Sequence, residues 1–141
     1  QNCYMGGVKT LSAFSKIPER NRTREIRKII EENVEIYLKN QIFKYRLKKN
    51  GERTEKPSWK KFGFPLFWQS DTLEVLDVLT SLGVRDERMQ DAIDLVVSRQ
   101  GKDGRWKLER TYNSWIELEK VGEPSKWITL RALRVLKRFY G

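Results

Sequence analysis

Residues 129–136 read Thr-Leu-Arg-Ala-Leu-Arg-Val-Leu, and the same eight-residue pattern occurs at Thr72–Leu79 and at Thr10–Ile17. Each copy has Thr-Leu, a polar residue, a small apolar residue, a large apolar residue and a second polar residue, in that order. The intervals between the three copies are nearly equal. A regular internal period of this kind indicates a repeat architecture.

Each copy predicts a helix that is buried on most of its sides. The polar positions recur at i, i+3 and i+7, which places them in one narrow stripe along a helix that is otherwise apolar. Asp71 and Ser125 precede the second and third copies and are suitable N-cap residues, and Glu74 could complete a capping box with Asp71. Copy by copy, the stripe contains Ser12 and Ser15, then Glu74, Asp77 and Ser81, then Arg131, Arg134 and Arg138.

A different, amphipathic helix is expected after each of the first two copies, at residues 24–41 and 86–100. The repeating unit is therefore a buried helix, a short turn and an exposed helix, followed by a long connection. We expect one all-α domain over residues 1–141 with about five main helices. Its repeat units are predicted at residues 3–41, 71–100 and 125–140, so the last buried helix has no exposed partner.

Composition excludes several kinds of chemistry. The 141 residues include no histidine and one cysteine, Cys3, so neither a Ser-His or Cys-His nucleophile nor a histidine-containing zinc site can be completed within the chain. We expect no metal site and no cofactor. No apolar run reaches the roughly 18 residues of a transmembrane helix, and no signal peptide is recognisable, so we expect a cytoplasmic protein.

The net charge of +10 is concentrated in two stretches, Lys44–Lys61 and Lys126–Arg138. Such stretches bind anionic partners or simply form a solvated surface; nucleic acid is not the partner we expect. The long connection that contains the first stretch, residues 42–70, is also aromatic, through residues that include Phe43, Tyr45 and Trp59. The segment Phe62–Trp68 that follows is too apolar to lie in water. It either covers helix ends or forms the wall of an apolar cavity.

The second exposed helix runs into Gln100, Gly104 and Trp106. Glutamine followed by Gly-x-Trp after such a helix resembles the QW motif of the terpenoid cyclase and prenyltransferase α/α-toroid superfamily. Residues 62–79 and 124–137 are also similar to uncharacterised bacterial prenyltransferase or squalene-cyclase repeat proteins. In that motif the glutamine satisfies backbone groups at a helix end, and the tryptophan ring packs over it.

The resemblance implies a partial α/α toroid made of helix hairpins. Toroids of this superfamily have about six hairpins, so we expect this chain to be a C-terminal fragment, or one whose open edges are covered by a missing N-terminal portion or by self-association. Gln41 is followed by Ile42 and Phe43 instead of Gly-x-Trp, and the acidic motifs of the cyclases are absent. No catalytic residue is carried over, and whether the protein is an enzyme stays open.

The polar stripe has three interpretations: charge pairing between neighbouring helices, exposure to solvent, or the lining of a ligand cavity. Our first functional hypothesis is a protein that binds an apolar or isoprenoid-type ligand, and the alternative is a non-catalytic repeat scaffold that binds a protein or an anionic polymer through Lys44–Lys61. The candidate cavity-lining residues are Trp68, Asp71, Glu74, Asp77, Lys126, Trp127, Arg131 and Arg134.

Overall fold

The computed structural model describes residues 3–44 and 46–141, without the side chains of residues 46 and 47. Gln1 and Asn2 of the predicted domain, and Tyr45 of the aromatic basic stretch, therefore lie outside the described residues. Within them the chain is mostly helical, as predicted. The helices are α1 (Tyr4–Ser15), α2 (Arg24–Lys39), α3 (Thr72–Ser81), α4 (Gln90–Ser98) and α5 (Lys126–Tyr140).

The predicted N-caps are confirmed. The Asp71 carboxylate accepts a hydrogen bond from the Glu74 backbone N–H at 2.8 Å, and the Ser125 hydroxyl accepts one from Ile128 at 3.0 Å. Each cap satisfies an amide that lacks a partner in the first helical turn. The capping box is only half formed, because the Glu74 side chain turns away to pair with Lys9 on α1.

Helix α3 lies between its neighbours and forms the centre of the core. It packs against α1, α4 and α5, and Leu73, Leu76 and Leu79 are completely buried. This burial fits its short apolar sequence, because a helix that is apolar on most sides is stable only when it is covered on most sides.

Helix α5 is buried on one side only, so the expectation that all three copies are buried on most sides is wrong for this copy, as it is for the first copy on α1, whose buried residues are Val8 and Leu11. Ile128, Ala132 and Val135 are completely buried, whereas Leu130 is 56% and Leu133 49% exposed. The physical reason is that α3 is flanked by α1 on one side and by α5 on the other, whereas no helix in the described part of the chain covers the flank of α5 that faces away from α3.

The hairpin of α1 and α2 is held by two tyrosines at its open end. Tyr37 on α2 donates a hydrogen bond to the backbone carbonyl of Tyr4, and the hydroxyl of Tyr4 donates to the carbonyl of Ile42 at 2.6 Å. A Cβ atom at Gly7 would lie only 2.5 Å from the Tyr37 hydroxyl oxygen. Gly7 is thus required for this close approach of the two helices.

The two long connections are ordered against each other. The first contains a short hairpin, β1 (Arg46–Leu47) with β2 (Arg53–Thr54), and a short 3-10 helix at Pro57–Lys60. The connections then meet where the Glu109 N–H donates to the Phe62 carbonyl at 3.0 Å. Neither connection is therefore a free loop, and together they close the end of the molecule at which α3 and α5 begin.

The apolar segment Phe62–Trp68 divides between core and surface. Phe62 and Leu66 are buried, whereas Phe67 is 55% and Trp68 70% exposed. Its first half covers the helix ends, as one of the two interpretations predicts. Its second half leaves two aromatic side chains at the surface beside the start of α3.

Trp106, rather than Gln100, satisfies the end of α4. Its indole N–H donates to the Val96 carbonyl at 2.7 Å, and its ring is completely buried. The Gln100 amide instead donates to the Gly104 carbonyl at 3.2 Å within the turn, where Gly104 has a positive φ of 78°. Trp106 thus makes the hydrogen bond to the helix end that the resemblance gave to the glutamine, because Gln100 is exposed beyond the end of the helix.

We predict that Trp106→Phe destabilises the fold by about 1–3 kcal/mol, because phenylalanine removes the indole hydrogen bond to the Val96 carbonyl, which keeps only its bond from the Arg99 N–H, and leaves part of the buried ring volume unfilled. The measurement is the free energy of unfolding from urea titration. Trp115→Phe is the matched control, because Trp115 is 92% exposed and should tolerate the change within about 0.5 kcal/mol. Equal effects at the two positions would contradict this role of Trp106.

Candidate ligand-binding face

Helices α1, α3 and α5 bring their polar stripes together on one face of the molecule, which we call the inner face. Lys9 Nζ lies 2.6 Å from Glu74 Oε1, which joins α1 to α3. Towards the C-terminal ends of α1, α3 and α5, a cleft of about 80 Å³ lies between the three helices. It is lined by Ser12, Ser15, Lys16, Asp77, Val78, Ser81, Arg134 and Arg138. The three helices thus run in the same direction with their stripes side by side.

The contacts correct the alignment of the first copy. The Thr-Leu pattern aligned Ser12 with Glu74, whereas in the structure Lys9 meets Glu74. Arg134 meets Asp77, as the pattern predicted. The stripe on α1 is therefore Lys9, Ser12 and Lys16, and the sequence analysis missed the two lysines. Their spacing of three and four positions from Ser12 is the signal that could have found them.

Asp77 is the acceptor for the arginines of α5. Its carboxylate accepts from Arg134 Nε at 2.9 Å and Nη2 at 2.5 Å, and from Arg138 Nη1 at 2.9 Å. Arg131 Nε lies 3.7 Å away. These hydrogen bonds raise the pKa of Arg134 above its ordinary value. Of the three interpretations of the stripe, pairing of charges between neighbouring helices is what the geometry shows.

The pairing leaves an excess of positive charge. Three guanidinium groups share the single carboxylate of Asp77, while Glu74 is paired with Lys9. Arg131 Nη1 and Glu74 Oε2 are buried and have no hydrogen-bond partner among the described residues. Buried polar atoms are nearly always hydrogen-bonded. These two atoms therefore mark a place where water or a ligand group would complete the site.

Asp71 has a structural position at the head of this face. One carboxylate oxygen caps α3, and the other accepts from the Gly63 N–H at 2.8 Å, so the carboxylate ties the Phe62–Trp68 segment to α3. Burial raises the pKa of Asp71 to about 6, against the opposing effect of the two N–H donors and the charge of Arg131. Asp71 is thus a buried carboxylate that holds backbone, not one that points into an open cavity.

Aromatic rings form the end of the inner face where α5 begins. Trp127 lies one helical turn before Arg131 and is 42% exposed. Its ring stacks on Phe64, with centroids 4.9 Å apart and 16° between the planes. Lys126 Nζ lies 5.4 Å from the centroid of the Trp127 ring. Phe64 lies in the segment Phe62–Trp68, which was predicted as a possible cavity wall, and its stacking on Trp127 singles it out within that segment.

The structure brings most of the predicted residues together. Glu74, Asp77, Arg131 and Arg134 meet on the inner face, with Asp71 buried behind them. Lys126 and Trp127 lie at its aromatic end, whereas Trp68 is 70% exposed and stacks on Phe67 at 6.3 Å. The structure-derived site thus has a basic part and an adjoining aromatic part.

The basic stretch Lys44–Lys61 is partly neutralised by its own surroundings. Lys44 pairs with Asp91 at 2.5 Å, Lys48 with Glu52 at 3.1 Å and Lys60 with Glu55 at 2.8 Å. Each of these pairs removes one positive charge from the surface that an anionic polymer would contact.

Comparison with protein-family models, characterised proteins and solved structures finds no significant match. Over residues 3–44 and 46–141, no group of three or more Cys, Asp or Glu side chains is arranged to hold a metal ion. Within the same ranges, no helix is both long and apolar enough to span a bilayer.

We predict that ionisation of Asp71 costs stability. Because its pKa in the folded protein, about 6, is above the ordinary 3.8, the native state holds the proton more tightly than the unfolded state does. The free energy of unfolding should therefore fall as the pH rises from about 4 through about 6. Asp71→Asn cannot ionise and should lack this fall.

The measurement is the free energy of unfolding of wild type and Asp71→Asn across this pH range. Between about pH 4 and pH 7 the difference between the two proteins should shift by up to about 3 kcal/mol in favour of the variant. A difference that stays constant with pH, or that moves in the opposite direction, would show that Asp71 is ionised at little cost.

Proposed function

We propose that this chain forms an arc of an α/α toroid of the terpenoid cyclase and prenyltransferase type, and that it binds an apolar ligand with an anionic head group on the inner face. The helix hairpins and the parallel inner helices support the architecture. The resemblance at Gln100, Gly104 and Trp106 supports the superfamily. The proposal concerns binding and assigns no reaction to the chain.

The observation that carries the proposal is the position of Arg131. Its Nη1 atom is buried without a hydrogen-bond partner in the described part of the chain, and the exposed, stacked ring of Trp127 lies one turn away on the same helix. An anionic oxygen on Arg131 would satisfy the orphaned donor through a charge-assisted hydrogen bond. The apolar part of the same ligand would then lie on the Phe64–Trp127 pair.

The charge of the inner face favours an anion over a cation. Among the residues that the structure describes, Lys9, Arg131, Arg134 and Arg138 pair with two carboxylates, those of Glu74 and Asp77, and Asp71 is buried behind them. The cleft beside Arg134 and Arg138 adds Lys16 and the hydroxyls of Ser12 and Ser15. A diphosphate or carboxylate head group has the oxygen atoms that such donors bind.

The aromatic part explains why an apolar chain should accompany the anion. The stacked Phe64 and Trp127 rings leave 42% of Trp127 uncovered. A flat, half-exposed aromatic surface next to a charged site binds apolar groups by removing their area and its own from water. An inorganic anion would use only the arginines, and an uncharged isoprenoid alcohol only the rings.

The test is calorimetric titration of the protein with farnesyl diphosphate, with farnesol and inorganic diphosphate as partial ligands. We expect farnesyl diphosphate to bind more tightly than either. Arg131→Gln removes the charged donor and Trp127→Ala the apolar platform, and each should weaken binding about 10- to 100-fold. Arg105→Gln and Trp115→Ala are the matched controls, because both side chains are exposed and lie outside the inner face.

Unchanged affinity in both Arg131→Gln and Trp127→Ala would overturn the proposal. Loss of affinity in Lys49→Gln and Lys61→Gln instead, with a steep decline between low and moderate salt, would favour the scaffold that binds an anionic polymer through Lys44–Lys61. Apolar contact at the rings should leave the binding of farnesyl diphosphate less dependent on salt than the binding of inorganic diphosphate.

A further inference from the structure

We propose that copies of this chain associate head to tail, with the free flank of α5 on one copy docked against the free side of α1 on the next. The interface is separate from the inner face, and the inference does not depend on the proposed ligand. It rests on the repeat itself, because the packing of α3 against α5 within the chain is the interface that we propose between α5 of one copy and α1 of the next. We call this helix–helix interface the joint.

The free flank of α5 exposes side chains that its counterpart buries. Leu130 and Leu133 are 56% and 49% exposed, whereas Leu73 and Leu76, at the equivalent positions of α3, are completely buried. Lys137, which corresponds to the buried Thr80, completes the flank. The same repeat position is therefore part of the core on α3 and exposed on α5 in the described structure.

The flank continues into the connection before α5. The Glu119 carboxylate accepts from the Lys126 N–H at 2.9 Å, which holds the connection against the start of the helix. An open cleft of about 510 Å³ lies between Glu119, Leu130 and Leu133, and Leu118 nearby in the chain is 54% exposed. Exposed leucines beside an open cleft whose rim also carries Arg105, Glu119 and Lys126 are typical of an interaction surface.

Helix α1 is uncovered on the opposite side of the array. Gly6, Thr10 and Ala13 are exposed, uncharged and small. When α1 is aligned with α3 by the contact of Lys9 with Glu74, these positions correspond to buried residues of α3. On α3 the equivalent positions are Asp71, Val75 and Val78, which are buried. On α5 they are Ile128, Ala132 and Val135, which are completely buried.

The two free sides are therefore the two halves of one repeated joint. On α3, Asp77 reaches α5 and Glu74 reaches α1, so the two neighbours lie on opposite flanks of the helix. Leu73 lies one turn before Asp77, on the α5 side, and Val78 one turn after Glu74, on the α1 side. A second copy would place its small α1 residues against Leu130 and Leu133, where close approach of the helices is sterically easy.

Such a joint is heterologous, because it uses a different surface on each copy. Heterologous joints produce a closed ring or an open filament, not a two-fold dimer. The joint would also bring Lys9 and Lys16 of one copy beside the arginines of α5 on the next. Since these charges repel, we expect association to strengthen as the salt concentration rises, the opposite of an interface made by ion pairs.

The experiment is sedimentation equilibrium of wild type, Leu130→Arg and Ala13→Arg at moderate and high salt, with Ile29→Arg as the matched control. Ile29 is 38% exposed and lies on α2, not on α1 or α5, whose exposed flanks form the joint. We expect wild type and the control to exceed monomer mass at about 0.1 mM, more so at high salt, and each edge variant to associate at least about 30-fold more weakly.

An equimolar mixture of the two edge variants gives the decisive result. Leu130→Arg retains an intact α1 side and Ala13→Arg an intact α5 flank, so the mixture should form a discrete dimer in which one joint is restored. Circular dichroism of each variant establishes that it is folded. A monomeric wild type, an Ala13→Arg variant that associates as wild type does, or a mixture that stays monomeric would each overturn the inference.

Discussion

The structure depends on the packing of α3 between α1 and α5. This helix is only ten residues long, yet all of its large apolar side chains are covered. A helix of that length is marginal by itself in water, so its neighbours stabilise it. Its buried position also explains why the positions that face away from the core on α3 are limited to one polar stripe.

Charge and packing support each other along that stripe. Because the apolar sides of α3 place α1 and α5 on its two flanks, Glu74 can reach Lys9 on one side and Asp77 can reach Arg134 on the other. The surplus of arginines over carboxylates then gives the inner face its positive character. Its aromatic end is built differently, from Trp127 on α5 and from Phe64 in a connection that backbone hydrogen bonds hold in place.

Much of the helical framework could be predicted from periodicity and caps, because both are local properties. The buried copies, the amphipathic partners and the caps at Asp71 and Ser125 follow from side chains within one or two turns. The alignment of α1 could not be obtained in this way. Its Thr-Leu match is locally good, but packing across the fold places Lys9, and not Ser12, against Glu74.

The other differences have the same origin in contacts that are distant in sequence. Trp106 takes the part expected of Gln100 because its ring reaches beneath α4, and a motif cannot show which of two donors meets a carbonyl. Phe64, in the first long connection, becomes part of the site through its stacking on Trp127, which is far from it in the sequence. The orphaned atoms of Arg131 and Glu74 likewise follow from the three-dimensional packing alone.

The central claim, that α3 is covered on both flanks and stabilises the array, is tested most directly by native-state hydrogen exchange. Amides of Val75–Leu79 should exchange only through global unfolding, with an opening free energy equal to that from denaturant titration. Amides on the exposed flank of α5 should open at lower free energy. If the α3 amides exchanged through local opening as readily as those of α5, α3 would not be the middle of the core and the account would be contradicted.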